Sequence, residues 1–330
     1  MEVSPFGLGT MVLGKWGNRD PDECGRIVNR ALDAGITLVD TADMYGDGEN
    51  ESLVGELLGR RRDEVVLCTK FHHPVGGHSD PKRRGNSRRW IMQAVEDSLR
   101  RLGTDRIDLY QAHRPDPGVP IEETVGALTE LVESGKIRAW GTSTFPAEDL
   151  VAAHWAAERT SAIGPSCEQA PYSILCRGVE RDVFPTACRL GMGILTWSPL
   201  SGGWLTGKYN RLDPTPHGSR AATNPDHFDA DNESKFDAVE ALTAIADNAG
   251  MSLTHIALAW NTEHPAVSAT LLGPRTEKQL NDLLGATDLR LDEDILDAID
   301  TVVAPGVSIN PADVAWSPPG LDASRRRRSR

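Results

Sequence analysis

The sequence has no run of apolar residues approaching the ~18 that a membrane-spanning helix requires. Its N-terminus also lacks the basic stretch followed by an apolar one that marks a secretory leader. Cysteine is scarce: five residues (24, 68, 167, 176 and 188) in a chain of 330, odd in number, scattered, and without a C-x-x-C pair. That pattern offers neither a disulfide framework nor a zinc-ligand spacing, so reduced thiols, no metal site and a cytoplasmic setting are expected. Basic residues are short as well, with 35 Lys and Arg against 48 Asp and Glu and a formal charge of −13. Nucleic acid or an anionic membrane as partner would want a basic face, and neither is expected. Finally, residues 7–14 (GLGTMVLG) do not supply a G-x-G-x-x-G in register after the first apolar strand. Its absence counts against an open doubly wound dinucleotide fold.

What the chain does contain is alternation. Short, nearly continuous apolar runs at 5–10, 36–40, 65–70, 107–113, 137–143, 165–169, 193–198 and 269–273 read as strands of a parallel sheet buried on both faces. Between them lie segments of helical period, such as Ile27, Val28, Ala31 and Leu32, then Leu53, Val54, Leu57 and Leu58, then Ile91, Val95, Leu99 and Leu102. Strand followed by helix about eight times predicts an α/β fold of the (β/α)8 TIM-barrel type, one domain over 1–318. Two long polar stretches, 71–89 and 199–234, interrupt the alternation and read as lids or binding loops at the active face. The tail 319–330, which ends SRRRRSR, has no apolar periodicity and is expected to be disordered.

Polar residues fall at the C-terminal ends of six of these strands: Asp40, Lys70, His113, Ser143, Gln169 and Ser198. Barrel enzymes build their sites at that end. One polar strand end is ordinary capping, but six in register point to a shared site. His72, His73 and His78 could suggest a metal, yet no other residue supplies ligand spacing, and a polar loop accounts for them.

The run DTADMYGDGENESLVGELL (40–58) is followed by VLCTKF, by SLRRLGTDRIDLYQAHRPDP (98–117), and by GKIRAWGTSTF, EQAPYSIL, WSPLSGGWLTGKY and GPRTEKQL. In that order and spacing the chain resembles the aldo-keto reductase family, from about residue 4 to about residue 300. The resemblance implies a catalytic tetrad of Asp40, Tyr45, Lys70 and His113. Its chemistry follows from the residue types. A carbonyl that accepts a hydride at carbon needs a proton at oxygen, and a free tyrosine near 10 is a poor match for neutral pH. A neighbouring ammonium lowers a phenol's pKa, a carboxylate holds that ammonium, and the histidine orients the carbonyl oxygen.

The resemblance also implies NADPH/NADP+ as cofactor. Gly9, Thr10 and Met11 would meet the nicotinamide ribose; Ser143, Thr144 and Gln169 the carboxamide; and Trp197 the nicotinamide face. Ser198, Leu200, Gly202 and Lys208 would wrap the pyrophosphate. Gly273, Arg275, Thr276 and Gln279 would take the adenosine 2′-phosphate and adenine. Thr144 and Leu283 stand where relatives commonly have Asn. Trp16, Phe71 and Arg114, with Tyr45 and His113, are candidates for the wall around a small carbonyl substrate. Two other readings stay open: an alcohol or sugar dehydrogenase working oxidatively with NAD(P)+, and a non-catalytic, cofactor-binding regulatory subunit of an ion channel.

Overall fold

A computed structural model describes residues 1–77, 80, 82–225, 228–321 and 326. Eight parallel strands close into a barrel in sequence order, with β8 returning to pair with β1. They are β1 (Phe6–Gly9), β2 (Leu38–Asp40), β3 (Val66–Phe71), β4 (Ile107–Ala112), β5 (Ile137–Ser143), β6 (Cys167–Pro171), β7 (Gly193–Trp197) and β8 (Val267–Leu272). Each lies within about two residues of an expected apolar run. Around them pack α1 (Pro21–Asp33), α2 (Glu49–Leu58), α3 (Arg88–Leu102), α4 (Ile121–Glu133), α5 (Ala147–Thr160), α6 (Val183–Arg189), α7 (Arg220–Thr223), α8 (Glu233–Asn248), α9 (Leu253–Glu263), α10 (Glu277–Leu284) and α11 (Glu293–Val302). Capping follows the sequence: Asp20, Ser87, Ser219, Asn232, Ser252 and Thr276 each accept a backbone N–H in the first turn of the helix they precede.

The core has two layers, because successive side chains on a strand point to opposite faces. Outward residues such as Val39, Leu67, Phe71, Tyr110, Ala112 and Ile194 pack against the helices. Inward residues Leu38, Cys68, Leu109, Cys167, Leu195, Ala269 and Leu271 fill the lower barrel, with Val3 packed against them. Gly7 faces that interior, where an added Cβ would lie 2.8 Å from the end of the Leu271 side chain and 2.9 Å from that of Leu38, so a larger residue would push both aside. On β2, β3, β4 and β6 the next inward residues up the strand are polar (Asp40, Lys70, Gln111 and Gln169), and this is what positions the site.

The long loops are shorter and more structured than expected. Phe71 completes β3 and Arg88 opens α3, which leaves 72–87 as the connection; 199–234 contains a 3-10 turn at Ser201–Thr206 and the short α7. The expected disorder of the tail concerns residues that lie mostly outside the described ones, while Pro319–Leu321 form a 3-10 turn. His78 also lies outside the described residues. Among those described, no helix is long and apolar enough to cross a membrane.

Candidate active site

Asp40, Lys70 and His113 rise from β2, β3 and β4 on inward positions, and all three are buried. The Lys70 ammonium donates to both Asp40 carboxylate oxygens at 2.8 and 2.7 Å and to the Thr41 carbonyl at 2.8 Å. Gln169 Nε2 donates to Asp40 Oδ1 at 2.8 Å, so the carboxylate is held from two sides. Burial works against the Lys70 charge, but the Asp40 carboxylate overcomes it and raises the ammonium's pKa above its ordinary value.

Tyr45 arrives from the loop after β2. Its neighbours Gly46, Asp47 and Gly48 all have left-handed backbone, at φ 59°, 64° and 94°. Glycine adopts that region freely and aspartate tolerates it, so the chain reverses at once into α2 and leaves the phenol at the barrel mouth. The loop is pinned from both sides. Asp47 Oδ1 accepts from the Gly76 amide at 2.6 Å. Buried Asn50 accepts from the Thr10 and Thr41 hydroxyls at 2.8 and 2.6 Å and donates to the Thr10 and Leu13 carbonyls at 2.9 and 2.8 Å. Below it, Glu51 accepts from Thr69 and pairs with Arg101 at 2.7 Å, locking α2 to β3 and α3. Sequence reasoning passed over Asn50 and Glu51. Their signal was a polar pair on the first turn of an otherwise apolar helix face.

The Tyr45 ring centroid lies 5.3 Å from the Lys70 ammonium, 5.8 Å from the Trp16 ring and 6.0 Å from the His113 ring. Burial pushes the phenol above its usual range, while Lys70 pulls it down. His113 is driven well below the ordinary imidazole value by burial, then by the charges of Lys70 and Arg114, so it is neutral. His73 packs edge-on against His113 at 5.2 Å, and His72 bonds Asn86 through Nδ1 at 2.9 Å. Among the described residues, no three His, Cys, Asp or Glu side chains converge as metal ligands.

The candidates for cofactor contacts divide by environment. Ser143 and Gln169 pair across β5 and β6, and the serine hydroxyl donates to the Gln169 carbonyl at 3.0 Å. Thr144 follows at φ 61°, a strained conformation for a β-branched residue; its hydroxyl accepts from Arg114 at 3.1 Å. Trp197, at the end of β7, is partly buried against the inner barrel cluster. Thr10 is fully buried and its hydroxyl is committed to Asp40's carbonyl and Asn50, which leaves Gly9 and Met11 as the more open part of that segment. Ser198, Ser201, Gly202 and Gly203 all have positive φ, so the backbone after β7 curls into a cradle in which Leu200 is partly buried.

The start of α10, capped by Thr276, is tied to the loop after β7 through Arg275 and Gly218. The Arg275 amide donates to Gln279 Oε1 at 2.8 Å, and its guanidinium to the Gly218 carbonyl at 3.0 Å. Lys208 is close enough for burial and Arg275 together to lower its pKa. Among the described residues neither cation has an acidic partner; Glu277, the nearest acid in sequence, turns to Arg26 at 3.5 Å. Two unneutralised cations beside a helix N-terminus and next to Gly273 fit a phosphate. Leu283, by contrast, is buried in the outer core.

One candidate is corrected. Phe71 follows Lys70 directly, so it points outward; it is fully buried, lies 4.9 Å from the Tyr110 ring and belongs to the outer core rather than the pocket wall. Trp16, 48% exposed, forms the rim beside Tyr45, and Arg114 spans His113 and Thr144.

A buried acid supports the ends of β5 and β6 from behind. Glu168 points outward from β6 and accepts from the Thr142 hydroxyl and the Phe145 amide. Burial pushes its carboxyl up to about 7, against the pull of those hydrogen bonds and of Arg114. A raised folded-state value means that the fold holds the proton between about 4.5 and 7 while the unfolded chain has released it. Stability from this group is therefore lost as pH rises through that window. Glu168→Gln should gain on the parent by up to about 3 kcal/mol between pH 5 and pH 8 in urea unfolding. A difference independent of pH would show that Glu168 is ionised throughout.

Comparison with known proteins finds relatives over nearly the whole chain. The protein "Uncharacterized oxidoreductase YrpG" of Bacillus subtilis is 36% identical over 325 residues, covering 96% of this chain and 97% of that protein. "Probable voltage-gated potassium channel subunit beta" of Arabidopsis thaliana is 35% identical over 310 residues, 90% of this chain and 93% of its own length. A Schizosaccharomyces pombe protein also named as a voltage-gated potassium channel subunit beta is 35% identical over 316 residues, 92% and 90% of the two chains. The family profile described as aldo/keto reductase matches residues 5–304, and with the closed barrel and these relatives it shows that this chain belongs to the aldo/keto reductase family.

Proposed function

We propose that the protein reduces an aldehyde or ketone to the alcohol with NADPH, Tyr45 giving the proton. The observation that carries this reading is the buried Asp40–Lys70 pair beneath a tyrosine at the barrel mouth, with a neutral histidine beside it. A nicotinamide cofactor, when bound, supplies the hydride that no side chain can. Everything else is work for this chain. Tyr45 keeps its proton at neutral pH because burial outweighs the pull of Lys70, as an acid in the reducing direction must. Lys70 then stabilises the phenolate as the proton leaves, and Asp40 holds Lys70 in place. Neutral His113 offers an N–H to the carbonyl oxygen, and Trp16 and Arg114 bound the space above.

Incubation with NADPH and para-nitrobenzaldehyde should consume NADPH, followed by its near-ultraviolet absorbance. The channel-subunit names of two relatives favour a second reading, in which the same site binds cofactor to report on it rather than to turn over. Tight NADPH binding without consumption across a panel of aryl aldehydes, quinones and sugars would select that reading.

The choice of NADPH over NADH rests on Arg275 and Lys208. A guanidinium can meet a 2′-phosphate by two parallel charge-assisted bonds, each worth roughly 1.5–3 kcal/mol. Arg275→Ala should weaken NADPH about tenfold or more and leave NADH nearly unchanged, measured by fluorescence titration. Equal losses for both would place the phosphate elsewhere.

A further inference from the structure

The geometry points to Gln111 as a positioning residue that makes Gln169 a pure hydrogen-bond acceptor toward the pocket, so that the site selects a ligand amide able to donate. The inference rests on the nicotinamide reading above and adds a residue below it. Gln111 is fully buried on β4, one inward step beneath His113. Its Nε2 donates to the Thr142 carbonyl at 3.2 Å and lies 3.4 Å from Cys167 Sγ. Its Oε1 accepts from Cys68 Sγ at 2.8 Å and from Gln169 Nε2 at 3.1 Å. The other N–H of Gln169 goes to Asp40 Oδ1 at 2.8 Å.

The sense of this chain is fixed at both ends. The Thr142 carbonyl can only accept, so the NH2 of Gln111 must face it and its oxygen must face Gln169. An ionised Asp40 can also only accept, so it too takes an N–H of Gln169. Turning either amide over would set oxygen against oxygen in a buried site, which costs far more than one hydrogen bond. Both N–H groups of Gln169 are thereby spent inside the barrel, and only Oε1 remains for the pocket. A nicotinamide carboxamide has an NH2 to give that oxygen; a methyl ketone in the same place has none.

The test uses NADP+ and its acetylpyridine analogue, which carries a methyl group in place of that NH2, with binding read by tryptophan fluorescence. The parent protein should prefer NADP+ by about fivefold or more, the value of one hydrogen bond. In Gln111→Leu one of the two acceptors that hold the Gln169 amide is gone, so the amide is freer to turn an N–H toward a ligand acceptor, and the preference should shrink below about twofold. Adenosine 2′,5′-bisphosphate, which has no nicotinamide, should bind both proteins equally and so verify the fold. Gln111→Met supplies a second apolar variant of similar length. A parent protein indifferent to the two dinucleotides, or apolar variants that keep the full preference, would overturn the role of Gln111. Failure of the parent to bind either dinucleotide would instead overturn the cofactor reading.

Discussion

Tyr45→Phe should lower kcat by about 10²–10⁴-fold while NADPH affinity changes less than about twofold. The substitution deletes one hydroxyl and nothing else. The ring that remains keeps its contacts with Trp16, His113 and the Lys70 ammonium, so the mouth of the barrel retains its shape. Neither neighbour can take over the acid's task. Lys70 is pinned by three acceptors, and its proton is held more firmly than that of a free lysine. His113 is neutral, and burial with two adjacent cations opposes its protonation. Single-turnover kinetics with fluorescence titration separate the two quantities. A variant that keeps most of the parent kcat would mean that the proton comes from elsewhere, water included.

The second large effect is expected from Lys70→Met, and it should damage both activity and stability. Methionine has similar length but no charge, so Tyr45 loses the cation that stabilises its phenolate, and turnover should fall at least as far as in Tyr45→Phe. Asp40, 3% exposed, is left with Gln169 as its remaining side-chain partner. Removing one member of a buried ion pair costs about 3–5 kcal/mol, because the other charge stays behind without compensation. Adding Asp40→Asn removes that charge. The double variant should therefore regain most of the lost stability in urea unfolding and none of the lost activity. Recovery of turnover in the double variant would contradict the role of Lys70; a single variant as stable as the parent would contradict the strength of the pair.

How far the site was legible depends on which physical signal each residue left. Asp40, Lys70, His113, Ser143 and Gln169 stood out because strands buried on both faces are nearly all apolar, and a polar residue at the end of one is conspicuous. Phe71 was misplaced because the change of face from one residue to the next decides its side, and its neighbour Lys70 already occupied the inward position. The same alternation, counted back from His113, puts Gln111 inside the barrel, where an amide needs partners. Asn50, Glu51 and Glu168 left weaker traces. Each serves a backbone or side chain brought close only by folding, the most distant of Asn50's partners being 40 residues away in sequence.

The sequence by itself determined the architecture. Eight apolar runs separated by amphipathic segments have few ways to bury both faces of every strand, and a closed parallel barrel does so while leaving no edge. It also determined which residue types stand at the mouth of that barrel. Only the tertiary structure decided what those residues are chemically. Lys70 is a firmly held cation because Asp40, 30 residues away in sequence, meets it where both side chains are buried. His113 is neutral because burial and the Lys70 and Arg114 charges act on it together. Arg275 and Lys208 come close together, with no acidic partner among the described residues, while Glu277 turns to Arg26. The reason is general: periodicity is a property of neighbours along the chain, whereas burial, pairing and charge state depend on distances that exist only after the chain has closed on itself.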